Sequence, residues 1–130
     1  MTEENRAANA AEELARAEDC LEEARTLRAA GLRFGATSRA YYAVFHAARA
    51  LLFSAGLEVV SHRGTVSLLG AHFVKTGRLS PELARTVAHM QRDREDADYG
   101  TAAVFTDAQT EKLVADAERF VVEARRLLGV

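Results

Sequence analysis

SRAYYAVFHAARALLF, residues 38–53, is the most apolar and most aromatic stretch of a chain that has no tryptophan. At about 100° per residue, Ser38, Tyr41, Val44, Phe45, Ala48, Leu51, Leu52 and Ala55 fall on one broad face, wide enough for the core-facing stripe of a central helix. A second stripe runs beside it. Arg39, Tyr42, His46, Arg49 and Phe53 recur at steps of three and four, a mixed basic and aromatic band that needs a partner.

Outward from this helix the pattern stays helical. Towards the N-terminus, residues 3–30 hold no proline or glycine and space Ala10, Leu14, Ala17, Leu21, Ala24 and Leu27 as one amphipathic face, with Gly31 as the stop. Small alanines on that face predict close approach to a neighbour. Cys20 beside Leu21 reads as inert packing or surface, not as a nucleophile. Leu32 to Thr37 is expected to be a short connection, although the join with the central helix is nearly continuous. Gly56 ends the central helix.

Towards the C-terminus, LEVVSHR (57–63) reads as a loop with Ser61 as N-cap, and residues 64–74 as a shorter helix carrying Val66, Leu68, Leu69 and Phe73. Ser80-Pro81-Glu82 is a strong start signal, with a cap, a proline at the first helical position and an acid in the first turn. The stripe of the helix it opens is Leu83, Val87, Met90, Arg94 and Ala97, so an arginine occupies a core-facing slot. Tyr99-Gly100 closes that helix and residues 101–105 cross over. Thr106 with Gln109 is a capping box for a last helix, whose stripe is Leu113, Ala117, Phe120, Ala124 and Leu127. No segment alternates long enough to be a strand. The expected fold is all-α, an antiparallel bundle of four to five helices spanning residues 1–130 as one domain.

Composition narrows the function. A 130-residue chain that is 48% hydrophobic can bury one core. The lone Cys20 excludes an intramolecular disulfide framework, and no Cys/His cluster has zinc spacing, so neither a metal nor a cofactor is expected and a reducing cytoplasm is the default compartment. No run of about 18 apolar residues reads as a membrane span, and the acidic N-terminal stretch does not read as a secretory signal. The formal net charge of −2 argues against bulk attraction to nucleic acid. Any RNA or nucleotide contact must therefore be local.

The best local candidate is RDREDADY, residues 92–99. Arg94 and Asp98 stand four apart, so the carboxylate can orient the guanidinium, and Tyr99 sits at the helix end with its hydroxyl free. An oriented arginine recognises phosphate well. The plainer alternative is an ion pair that only fixes the bundle. Asp93, Glu95, Asp96 and Asp98 outweigh the local arginines, so cations from elsewhere must complete any phosphate site. Arg39, Tyr42, His46 and Arg49 are one source, doubled if a homodimer forms across that face. His62, at the start of the third helix, is another. His72 and His89 have no partner at metal-binding spacing.

Three stretches in order, SRAYYAVFHAARALL (38–52), SHRGTVSLLGAHFVKTGRL (61–79) and RDREDADYG (92–100), resemble the HEPN superfamily of prokaryotes, in particular its small single-domain, UPF0332-like branch. The resemblance spans about residues 10–128. It implies a helical bundle, usually homodimeric, often paired with a minimal nucleotidyltransferase in a toxin–antitoxin system. Many relatives are metal-independent ribonucleases that use an arginine and, four to six residues on, a histidine. Carried over, the arginine is Arg94, and Tyr99 stands where the histidine belongs. An unperturbed phenol, with a pKa of about 10, is a poor base at neutral pH. In some relatives a tyrosine near the motif's end is modified with AMP by the partner, and Tyr99 is the matching acceptor. Together with the spacing, the resemblance points to a site of Arg94, Asp98 and Tyr99, with Arg39, Tyr42 and His62 nearby, that binds an RNA phosphate or a nucleotide and is a candidate for RNA cleavage. The alternative is a non-catalytic module that docks the nucleotidyltransferase.

Overall fold

A run of residues that hides every position except one narrow stripe must sit at the centre of a bundle, and residues 36–52 do so. The computed structural model describes residues 2–59, 61–99 and 105–130. Among these, five α-helices follow in order: α1 (Glu3–Ala29), α2 (Arg33–Ser54), α3 (His62–Leu69), α4 (Pro81–Tyr99) and α5 (Asp107–Leu128), with a π-helical turn at Gly70–Val74. The fold is all-α, as the periodicities require. Helix α2 is the hub and touches each of the other α-helices.

The burial of α2 follows its two stripes. Between Ala36 and Leu52 only Arg39, Tyr42, His46 and Arg49 are half-buried, and all other positions are buried. Tyr41, Val44, Leu51 and Leu52 are sealed in the core, each contributing about 1.5–3 kcal/mol by removal from water. Ala55, placed on the core face from its spacing, is exposed, because it lies past the last helical turn and caps it. Alanines on both sides bring α1 and α2 together. Ala10, Ala17 and Ala24 of α1 are buried, as are Ala36, Ala40, Ala43, Ala47 and Ala50 of α2.

Helix α2 begins earlier than expected. Residues 33–37 are helical, not a connection, and the link is only residues 30–32. Gly31 makes this possible, since its φ of +77° reverses the chain in a conformation that other residues rarely adopt.

The third helix also differs. Ser61 caps it as read, accepting a hydrogen bond from the Gly64 backbone N–H at 3.0 Å, but helix begins at His62 and ends at Leu69. A wider turn follows, in which the Lys75 N–H reaches the Gly70 carbonyl at 3.1 Å. This i→i+5 turn leaves Phe73 buried beside Leu69.

The start signal at Ser80-Pro81 and the capping box at Thr106 form as read. The Ser80 hydroxyl accepts from the Leu83 N–H at 3.2 Å. Thr106 accepts from the Gln109 N–H at 3.1 Å while its own N–H donates to Gln109 Oε1 at 2.9 Å. The expected closure at Gly100 and the crossing over residues 101–104 lie outside the described residues. Cys20 is buried in α1, and burial pushes its thiol pKa up.

Candidate functional site

Helix α4 buries only Val87 and Met90 completely, yet its stripe continues one turn further to Arg94. The side chain there is only 11% exposed. A guanidinium held against a bundle needs negative surface, and three tyrosine rings supply it. Arg94 Cζ lies 5.6 Å from the centre of the Tyr41 ring, 5.9 Å from Tyr42 and 6.0 Å from Tyr99. Asp98, one turn along, is the sole carboxylate paired with it among the described residues, at 3.5 Å from Nη1 to Oδ2. Nε is buried and has no hydrogen-bond acceptor among the described residues. Burial works against the Arg94 charge, but Tyr42, the Asp98 hydrogen bond and Tyr41 outweigh it, and its pKa lies above the ordinary arginine value.

The residues singled out from sequence come together here. Arg39 lies over the Tyr42 ring, Cζ 4.8 Å from its centre. His62, the first residue of α3, packs on Phe45 with ring centres 4.3 Å apart and approaches Tyr42 at 6.2 Å. Tyr42 is therefore the common floor for Arg39, Arg94 and His62. Tyr99 ends the described part of α4 with 77% of its surface exposed.

RDREDADY divides between faces. Arg94 and Asp98 turn towards α2, whereas Arg92 turns away to His89, Nη2 3.5 Å from Nδ1, and Asp93 lies 3.6 Å from His89 Nε2. Glu95 and Asp96 are exposed.

Two contributors were not legible in the sequence. Tyr41 falls on the core face, and 1% exposure agrees, but its hydroxyl also hydrogen-bonds with His62 Nδ1. Burial pushes that hydroxyl well above the ordinary tyrosine range despite the lowering effect of Arg94, so it stays a phenol, and as a better donor than acceptor it donates to the more basic imidazole nitrogen. His62 Nδ1 therefore accepts, and its hydrogen sits on Nε2. Burial first, then Arg94, holds the His62 pKa below the ordinary 6.5, so it is neutral at pH 7.

The other contributor is Glu13 of α1, thirty-three residues from its partner. Its Oε2 lies 2.6 Å from His46 Nδ1, with the two side chains 12% and 14% exposed. Arg49 Nε is 3.9 Å from the same oxygen, and its guanidinium lies over Phe45 and Phe53 at 5.6 and 5.2 Å. Arg49 is thus engaged at the far end of the stripe, away from the Tyr42 floor. Among the described residues no three His, Cys, Asp or Glu side chains converge as metal ligands would, and no helix is long and apolar enough to cross a membrane.

Chemically, the arrangement is a guanidinium with a spare buried donor, a neutral imidazole with an Nε2–H and a second arginine around one tyrosine. Comparison with known proteins adds the lineage. A UPF0332 protein of Gloeobacter violaceus is 40% identical over 115 residues, 88% of this chain and 91% of that protein. A UPF0332 protein of Thermotoga maritima is 32% identical, covering 87% of this chain and 86% of its own. A Methanocaldococcus jannaschii protein named as a candidate toxin is 34% identical over 86% of this chain and 83% of its own length. Residues 10–127, which hold the whole Tyr42 cluster, match the HEPN domain, and the chain belongs to that family.

Proposed function

We propose that this protein is the HEPN member of a toxin–antitoxin type pair with a minimal nucleotidyltransferase. Its Arg94 cluster binds an RNA phosphate or a nucleotide. The observation that carries the reading is the state of Arg94: packed against tyrosines, and among the described residues with one carboxylate, at 3.5 Å, and no acceptor on Nε. A guanidinium so held retains donors for a phosphate oxygen, and its fork suits two of them. Arg39 and the His62 Nε2–H face the same floor. Asp98 orients Arg94, and Tyr99 lies beside it as a further hydrogen-bonding group. The candidate-toxin name of the M. jannaschii relative supports the pairing.

In a homodimer built across the half-buried stripe, two-fold symmetry would bring two such clusters to one cleft, offsetting the acids of residues 93–98. As a metal-independent endoribonuclease, the protein would use Arg94 to stabilise charge developing on the scissile phosphate. The exposed Tyr99 hydroxyl suits modification with AMP by the partner, which would block the cleft. That same exposure favours a second reading, a non-catalytic module that docks the nucleotidyltransferase through this helix end.

The test is RNA binding and cleavage in EDTA by the wild type, Arg94→Ala and Tyr99→Phe, with intact mass measured on each sample. The expected result is binding lost in Arg94→Ala with its helical signal intact. Equal binding by the wild type and Arg94→Ala would remove the phosphate reading. Binding without cleavage, from protein of unmodified mass, would select the docking module.

A further inference from the structure

RNA cleavage without a metal needs a proton acceptor for the attacking 2′-hydroxyl. The α4 motif supplies no imidazole after Arg94, because Tyr99, a phenol, stands at the position where the resemblance expects the histidine. His62 does not fill the gap: with Tyr41 donating to Nδ1, its Nε2 carries hydrogen and is a donor.

His46 is the opposite case. Its Nδ1 faces Glu13 Oε2 at 2.6 Å. A carboxylate only accepts, so the hydrogen lies on Nδ1 and the lone pair on Nε2. That nitrogen takes no hydrogen bond from the described residues. The ring is wedged in place, 5.5 Å from Phe45 and 6.4 Å from Tyr42, centre to centre. Arg49 places a positive charge 3.9 Å from the same Glu13 oxygen. Tyr42, which touches His46, is also the floor under Arg94 and His62. Residues 42 and 46 are four apart on one helix face, a rise of about 6 Å, which is on the scale of a ribose and its 3′-phosphate.

We propose that His46, oriented by Glu13, takes the 2′-hydroxyl proton during RNA cleavage, in place of the histidine missing after Arg94. The inference rests on the ribonuclease arm of the function proposed above. In the step, the 2′-O–H bond breaks and its proton passes to His46 Nε2 as the 2′-oxygen bonds to phosphorus. The bond from phosphorus to the 5′-oxygen then breaks, and that oxygen takes a proton from solvent. The imidazolium returns its proton to solvent. The products are a 2′,3′-cyclic phosphate and a 5′-hydroxyl, with no net water, metal or redox partner consumed. Arg94 and the His62 Nε2–H face the phosphate oxygens. Glu13 is a positioning residue.

The experiment is single-turnover cleavage of a fluorescent RNA oligomer in EDTA, with affinity measured by anisotropy on the same samples. Wild type, His46→Gln, His46→Ala with and without added imidazole, and Glu13→Gln are compared. Loss of proton transfer is expected to slow both His46 variants by about 10²–10⁴-fold, with RNA affinity unchanged. Imidazole should restore part of the rate to His46→Ala, which a purely structural role for His46 would not allow. Glu13→Gln should fall between wild type and His46→Gln. His46→Gln preserves size and hydrogen bonding, so a folding failure of the alanine variant leaves a valid arm. Wild-type cleavage that persists in His46→Gln overturns the proposal and leaves the ribonuclease reading intact. A wild type that binds RNA without cleaving it overturns both the His46 role and the cleavage arm while phosphate binding survives. If it does not bind, the phosphate reading falls as well.

Discussion

The Arg94 guanidinium and the Tyr42 ring face each other across the α2–α4 contact at 5.9 Å, and Arg39 approaches that ring from its own helix at 4.8 Å. Two cations on one aromatic floor, with Asp98 the one carboxylate paired to Arg94 among the described residues, form an arrangement suited to an added anion. Charge alone would not suffice for it. Arg94→Lys keeps the charge but loses the fork that meets two oxygens. We expect it to lose about 1.5–3 kcal/mol of RNA binding free energy, the worth of a hydrogen bond to a charged group, as read from anisotropy titrations. A lysine variant that binds like wild type would show that the site senses only charge.

Tyr41 links the core to the site. Tyr41→Phe keeps the buried ring but leaves His62 Nδ1 with no donor. A half-buried acceptor without a partner costs about 1–3 kcal/mol, which urea unfolding at pH 7.5 would register. RNA affinity should fall too, because His62 is then free to move its hydrogen from Nε2.

The pH dependence of stability follows from His62. Its folded pKa lies below the ordinary 6.5, through burial first and Arg94 second, with His46 and Arg49 acting in the same direction and Glu95 against them. The unfolded chain therefore binds the proton more readily. The contribution is fully present above pH 6.5, and it is lost as the pH falls from there through the folded pKa. The urea midpoint should drop between pH 7.5 and 5.5, and His62→Gln should flatten that drop. A slope unchanged in the variant would assign the effect to another group.

Thr106 tests the frame of α5 apart from the site. Thr106→Ala removes the acceptor for the Gln109 N–H and one half of the capping box. The expected cost is about 0.5–2 kcal/mol of stability, with RNA binding unchanged, because α5 contributes nothing to the Tyr42 cluster.

The sequence was most legible where local rules decide. Ser61, Ser80 and Thr106 each cap the helix predicted for them, and the 3.6-residue period on α2 separated its buried face from the stripe that is half-buried in the structure. Arg94 reads as facing inward because it interrupts an apolar stripe. Other features depend on contacts that spacing cannot show. Glu13 meets His46 and Tyr41 meets His62 across thirty-three and twenty-one residues, and no local pattern announces either pair. The π turn at Gly70–Val74 escaped notice because an i→i+5 bond alters periodicity over a single turn only. Residues 33–37 read as a link because an arginine, a glycine and a threonine there hid a helix that Gly31 had already turned.

The light anchoring of α4 bears on how the site operates. Nineteen residues long, this helix is fully sealed into the core only at Val87 and Met90, whereas α2 is sealed along most of its length. Local opening costs least where the fewest apolar groups must be exposed. The segment from Arg94 to Tyr99 therefore detaches more cheaply than α2, where Tyr42, His46 and Arg39 stay fixed on the rigid hub. Amide hydrogens at the end of α4 should exchange well before those of α2. A bound phosphate, bridging Arg94 to the α2 side, would slow that exchange by tying the loose helix to the rigid one.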